Sequence, residues 1–407
     1  MTAVIAVLHA EDVALEFVSV LRDHADQDVL VVVGQKRTSV TLPAGLSLRE
    51  RLELLGPMVE PGGNTAELPV PADVAALLGE APGQVWTHSP ADHRIRRARF
   101  GWIVSRAVSP FSPASVSSPS SPSSPSSPSS PSSPSLPAVT CSVGDNPFLQ
   151  TIPATATAIT AAEAGAKIDF INRRAGELLR SRVADRLVTT DRVPAVERFF
   201  TASAAQANRL YALISSLGDD AAVADDPWEF GRSAYEAARL DATAAWTARW
   251  CSPQDGPIVE VGACQGELTR RLAGKGYRVQ ATEPNAGFRA RLAERAEPGV
   301  EVLPDSLEDL ADHGERQAAA YLLVEMLYYD QDLTLLDRLP TDLVLLALES
   351  GQLNERIWPW LREQHTWRVA ERVELAPPTL ESVCDGLAYL RKRGSRGLVL
   401  ARAGWRR

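Results

Sequence analysis

The stretch Ile258–Pro284, IVEVGACQGELTRRLAGKGYRVQATEP, places two carboxylates, Glu260 and Glu283, 23 positions apart around a glycine-bearing turn. Gly262, Ala263 and Gly266 are small enough to let backbone come close to a ligand. The apolar runs predict a strand ending at Glu260, a helix after Gly266, and a second strand ending at Glu283 and Pro284. In a nucleotide-type pocket a carboxylate at that second strand end accepts both ribose hydroxyls, and the helix turns its unpaired N–H groups toward an anion. A dinucleotide fingerprint would need G-x-G-x-x-G. Here the turn reads E-V-G-A-C-Q-G, with Cys264 where a middle glycine would stand, and Cys264 reads as a small packing residue rather than a nucleophile.

A second set of chemically capable residues lies near the amino terminus. AVLHAEDVALEF puts His9, Glu11 and Asp12 at the carboxyl end of a strand, where His and Asp suit zinc and an acid between them suits water activation. Toward the other end, VEVLPDSLEDL offers Asp305 and Ser306 after a strand, and VEMLYYD offers Glu325 and Tyr328 after another. Ser306 and its neighbour equally suit a cap for the helix that SLEDL begins. Glu325 equally suits an ordinary carboxylate at a strand end.

The elements that must hold these residues are α/β throughout. The chain has 407 residues, 45% of them apolar, which suits two or three cores. Near the amino terminus VIAVLHA and DVLVVVG read as parallel strands joined by the helical pattern EDVALEFVSVLRDHAD. Ser117–Pro134 is SSP repeated six times, too poor in apolar side chains to fold, and reads as a polyproline-biased tether inside a low-complexity insertion at 112–137. Beyond it, Ala161–Leu187 and Val193–Leu217 have helical spacing. Seven strands follow, at PIVEVG, YRVQATEP, VEVLP, AAAYLLVE, TDLVLLALE, WRVAERVEL and RGLVLAR, which suits a doubly wound, Rossmann-like sheet. The implied domains are 1–200, a connector at 201–224, and 225–407.

A net charge of −9 gives no electrostatic case for nucleic acid. The basic tail, with Arg391, Lys392, Arg393, Arg396, Arg402, Arg406 and Arg407 interleaved with GLVLA, reads as a final strand with solvated flanks. No leader peptide or long apolar span is evident, so a cytoplasmic protein without a membrane partner is expected. The cysteines, Cys141, Cys251, Cys264 and Cys384, are scattered and read as reduced thiols. A small-molecule substrate is expected, and the oligomeric state is open.

Two families resemble these segments. The turn, helix and acidic strand end resemble motif I of class I S-adenosylmethionine-dependent methyltransferases. DDPWEFGRSAYEAARLDAT, 225–243, and VEMLYYD, 324–330, resemble the lead-in and fourth-strand segments of the NodS-like N-methyltransferases, which methylate the free amine of an amino sugar. The resemblance implies S-adenosyl-L-methionine as cofactor, held by Glu260, Gly262, Ala263, Gly266, Glu283, Pro284, Asp305 and Ser306. It also implies Trp228, Tyr235 and Arg239 lining the cleft, and Glu325 or Tyr328 orienting the amine or taking its proton. Trp228 and Tyr235 equally suit an amphipathic helix packing on the sheet.

The amino-terminal half resembles the PIG-L/LmbE-type N-deacetylases through HAED at 9–12, VWTHSPADHRIRRA at 85–98 and VERFF at 196–200. That resemblance implies zinc held by His9 and Asp12 with His93 as third ligand, and Glu11 as the base. Ala10, Glu11 and Val13 depart from its pattern, as does Pro90 where a histidine belongs; another register puts Arg96 at a ligand position, where a guanidinium cannot bind metal. His88 is spaced less well. The expected function is N-methylation of an amino sugar or similar amine beside a degraded deacetylase-like domain. The alternatives are a bifunctional zinc-dependent deacetylase and methyltransferase, or a small-molecule O-methyltransferase.

Overall fold

In the computed structural model the described residues are 3–59, 67–79, 83–108, 139–144, 146, 148–174, 195–215, 226–314, 316–328 and 331–405. The SSP repeat, Asp225, Tyr329 and Asp330 lie outside them. The chain divides into two units, Met1–Gly218 with Ser382–Tyr389, and Asp219–Glu381 with Leu390–Arg407.

The first unit carries β1 (Ala3–Val7), β2 (Val29–Val33), β3 (Thr38–Leu42), β4 (Val85–Thr87), β5 (Val139–Ser142), β6 (Leu149–Thr151), β7 (Thr155–Ala158) and β8 (Val196–Ala202). Its main sheet has the order β3-β2-β1-β4-β5-β8-β7. β1 pairs in parallel with β2 and β4, and β4 with β5. AVIAV in β1 is apolar throughout because both faces are covered. The helical pattern after β1 breaks at Phe17, whose φ of −134° leaves the helical region, and yields helices Glu11–Glu16 and Val18–Asp23. The carboxylate of Glu197 on β8 accepts the N–H groups of Val18 at 3.0 Å and Ser19 at 2.8 Å, capping the second helix. Buried Lys167, 3.4 Å away, balances its charge.

One expectation needs correction here. Val196–Ala202 is a strand antiparallel to β5 and β7, and among the described residues of that span only Ala204–Ser215 is helical. Val196, Arg198 and Thr201 face out while Glu197, Phe199, Phe200 and Ala202 are buried, a near two-residue period that helical spacing does not produce. The helix expected over Ala161–Leu187 is described for Ala161–Arg174, and its remainder lies outside the described residues.

The second unit carries β9 (Ile258–Val261), β10 (Val279–Thr282), β11 (Val300–Leu303), β12 (Ala320–Val324), β13 (Leu343–Leu348), β14 (Trp367–Ala376) and β17 (Ser395–Arg402). β15 (Thr379–Val383) and β16 (Ala388–Lys392) intervene between β14 and β17. The seven strands read from the sequence form one sheet in the order β11-β10-β9-β12-β13-β17-β14. β9 to β13 are parallel, while β17 is antiparallel to both neighbours. Each face has its own core: Ile258 of β9 packs with Leu240, Trp246 and Leu268, and Val259 and Val261 with Leu310 and Leu336. From β9 the chain runs outward to β10 and β11, then returns to β12 on the other side. That reversal opens a crevice at the carboxyl ends of β9 and β12, where doubly wound sheets bind ligands.

Candidate functional site

The turn after β9 is built by three left-handed residues, Gly262 at φ 71°, Cys264 at φ 51° and Gly266 at φ 83°. A Cβ on Gly262 would lie 3.3 Å from Cβ of Met326, just past β12, so the turn passes close to the neighbouring strand end. Gly266 starts the helix Glu267–Ala273 without a side-chain cap. Glu283, at the end of β10, is fixed by the turn itself: its Oε2 accepts the Cys264 N–H at 2.8 Å and its Oε1 the Asn285 N–H at 2.9 Å. Each oxygen keeps a second lone pair for an incoming hydroxyl. Burial pushes the pKa of this carboxyl up, against the two backbone hydrogen bonds. Glu260 lies beneath the turn, where burial pushes its carboxyl up to about 7 and the Thr269 hydroxyl donates to it at 2.6 Å.

Ala263 is buried in the turn, and Pro284 is exposed just beyond Glu283. Asp305 and Ser306 follow β11 at the same edge. Ser306 forms a capping box with Asp309, and Asp305 pairs with Arg316 at 3.1 Å, so both have structural work of their own. Trp228 lies against Phe288 and Phe230, with ring centroids 5.1 and 5.7 Å away. Asp226 holds this lead-in loop by accepting the N–H groups of Phe230 at 2.8 Å and Gly231 at 2.9 Å.

Past the crevice lies a buried polar cluster that the sequence only partly revealed. Arg239, on the helix Ala234–Trp250, donates through Nε to Glu236 at 2.8 Å, and its Nη1 lies 4.0 Å from Glu325. Nη1 is buried without a hydrogen-bond acceptor among the described residues. Burial opposes the charge of Arg239, but Glu236 and Glu325 outweigh it and raise its pKa. Glu325 stands at φ 51°, an uncommon conformation for a residue with a side chain. It accepts from Tyr328 and, at 2.7 Å, from Ser395, and burial raises its pKa. Lys392 bridges Glu236 at 2.8 Å and Glu381 at 3.4 Å, with its ammonium over the Tyr235 ring. Arg393 bonds Glu349 at 2.5 Å.

Lys392, Arg393, Glu236, Glu349, Glu381 and Ser395 were not singled out as site residues. The flanks of the last strand are therefore not all solvated, because Lys392 is buried against Glu236. The polar spacing Ser233, Glu236, Arg239 on one helix face was the available signal, since a charged stripe facing inward must meet partners.

The amino-terminal constellation is split by the fold. His9 and Glu11 line a small cleft with Val33, Gln35, Lys36 and Met58. Asp12 is buried, accepts the His9 N–H at 3.0 Å, and lies 3.1 Å from His88 Nε2. The histidine beside Asp12 is thus His88, from the end of β4, and not His93, which is partly exposed and pairs with Asp92 at 3.6 Å. Arg97 reaches both Asp12 and Glu16. Arg94 chelates Asp92 at 2.8 and 2.6 Å. Among the described residues no group of three or more His, Cys, Asp or Glu is placed to hold a metal ion. A zinc ion does not fit here, since Asp12, the carboxylate expected to bind it, already faces Arg97.

No family model matches the chain, and no curated protein does. Solved structures similar to it include the N-methyltransferase NodS from Bradyrhizobium japonicum WM9, 14% identical over 40% of this chain and 96% of that one, at a TM-score of 0.31. Magnesium protoporphyrin IX methyltransferase from Synechocystis PCC 6803 is 13% identical over 48% of this chain and 97% of its own, at 0.34. The glycopeptide N-methyltransferase MtfA is 12% identical over 40% and 89%, at 0.31. Likenesses this distant carry no weight beside the geometry. No helix among the described residues is long and apolar enough to cross a membrane.

Proposed function

We propose that the second unit is an S-adenosylmethionine-dependent N-methyltransferase acting on an amino sugar or similar small amine. The observation that carries this reading is the Glu283 carboxylate, tied by its Oε2 to the Cys264 N–H and set beside a left-handed turn at the switch point of the sheet. Two acceptor oxygens held rigid beside a left-handed, glycine-bearing turn suit a ribose diol. The Nη1 of Arg239, without a hydrogen-bond acceptor among the described residues, suits the amino-acid carboxylate of the cofactor, and the Gly262 turn is a cradle that a side chain would narrow. When bound, the cofactor would supply an electrophilic methyl group on sulfonium sulfur.

The remaining work falls to side chains of this unit. The carboxylates of Glu236, Glu325, Glu349 and Glu381 outnumber the cations Arg239, Lys392 and Arg393 that face them, which favours a basic acceptor over an anionic one. The lone pair of a neutral acceptor nitrogen would form the new bond to carbon as the carbon–sulfur bond breaks, and the methylated ammonium would then give up a proton. Glu325, with its pKa raised by burial, is suited to accept that proton or to orient the nitrogen, and Tyr328 fixes its second oxygen. Alignment of the nitrogen in this closed cluster would provide most of the acceleration.

The first unit is read as deacetylase-like in fold, and no hydrolytic step is derived from it. Incubation of the full chain with methyl-labelled cofactor and a panel of amino sugars and their N-acetylated forms tests the reading. Label entering the free amines and not the acetylated forms is expected. Label recovered in products that still carry the acetyl group, at the level of the free amines, would show oxygen to be the acceptor and overturn it.

A further inference from the structure

We infer that the guanidinium of Arg97 occupies the place of a metal cation at the carboxyl end of β1, making this cluster a closed internal ion-pair network that binds no zinc. Asp12 and Glu16 each already face a cation and a further donor. Asp12 accepts from Arg97 through Oδ1 and from the His9 N–H through Oδ2 at 3.0 Å. Glu16 accepts from Arg97 and, at 3.5 Å, from Arg94 through Oε1, and from the Ser142 hydroxyl at 2.8 Å through Oε2. His88 places Nδ1 3.2 Å from Glu16 and receives the Leu8 N–H on Nε2 at 3.0 Å. Arg97 is fully buried and Arg94 nearly so.

The backbone keeps this cation in place. Arg97 and Gly101 share the helix Ile95–Val108, and a Cβ on Gly101 would stand 2.2 Å from the His88 carbonyl oxygen. The helix can therefore rest directly on the segment after β4, with no room for the guanidinium to withdraw cheaply. Removing either partner of such a pair strands a buried charge, whereas removing both does not.

The experiment uses the full chain purified without chelator, with elemental analysis and thermal melting in EDTA and in excess zinc chloride. Well under one equivalent of zinc and a melting temperature insensitive to both additions are expected. Arg97→Met and Asp12→Asn should each lower the melting temperature by about 6 °C or more, with the double variant recovering part of the loss. One equivalent of zinc in the wild-type chain, or a wild-type melting temperature that falls in EDTA, overturns the inference even if the variants fail to fold. A variant Arg97→Met as stable as wild type overturns it as well. None of these readouts depends on methyl transfer, so this test and that of the second unit fail separately.

Discussion

The carboxylate of Glu260 shows how one residue can trade stability for a site. Burial lifts its pKa from 4.5 to about 7, so between those values the folded chain holds a proton that the unfolded chain has lost. Folding stability contributed by this group is then complete below about pH 4.5 and falls as pH rises through 7, by about 3 kcal/mol in all. Glu260→Gln should melt higher than wild type at pH 8 and lose that part of the pH dependence, which calorimetric melts at pH 5 and 8 would read. Glu16 behaves oppositely. Burial resists its ionisation, but the hydrogen bond and charge of His88 and the charge of Arg94 prevail and hold it down at about 2. Its contribution is complete above about pH 4.5 and is lost as pH falls toward 2, so Glu16→Gln should flatten the acid limb of the stability curve.

Among the elements, the helix Ile95–Val108 depends most visibly on one small residue. Gly101→Ala would drive a methyl into the His88 carbonyl, and urea titration should show a loss of about 2 kcal/mol or more, as overpacking against rigid backbone does. Strands of the second sheet were legible because each is a short apolar run bounded by turns, as LVLLAL in β13 and AYLLV in β12. β15 and β16 were not, because TLESV and AYLRK bury few side chains and carry charge. β8 was misread because VERFFTA follows a run of helical spacing and its two-residue period is broken by consecutive phenylalanines. The turn and Glu283 could be read from spacing alone, since they lie within one βαβ unit. The cluster around Glu325 could not, because Glu236, Lys392 and Ser395 reach it from far along the chain. Arg97 was hidden for the same reason: only the packing of its helix shows that it meets Asp12.

At the scale of the whole molecule, two units with separate cores should not melt as one two-state system. A ligand that binds one folded unit raises its stability by mass action and leaves the other transition where it was. S-adenosylhomocysteine should therefore move one of two calorimetric transitions upward, and zinc should move neither. An upward shift of either transition by zinc would contradict the assignment. The most direct test of the central claim is calorimetric titration of the full chain with S-adenosylhomocysteine, for wild type and for Glu283→Gln. One saturable site in the wild type, weakened at least about 10-fold in the variant by loss of a charged acceptor, is the predicted result. No binding by the wild type, or equal affinity in both, would contradict the claim that Glu283 and the Gly262 turn form the cofactor pocket.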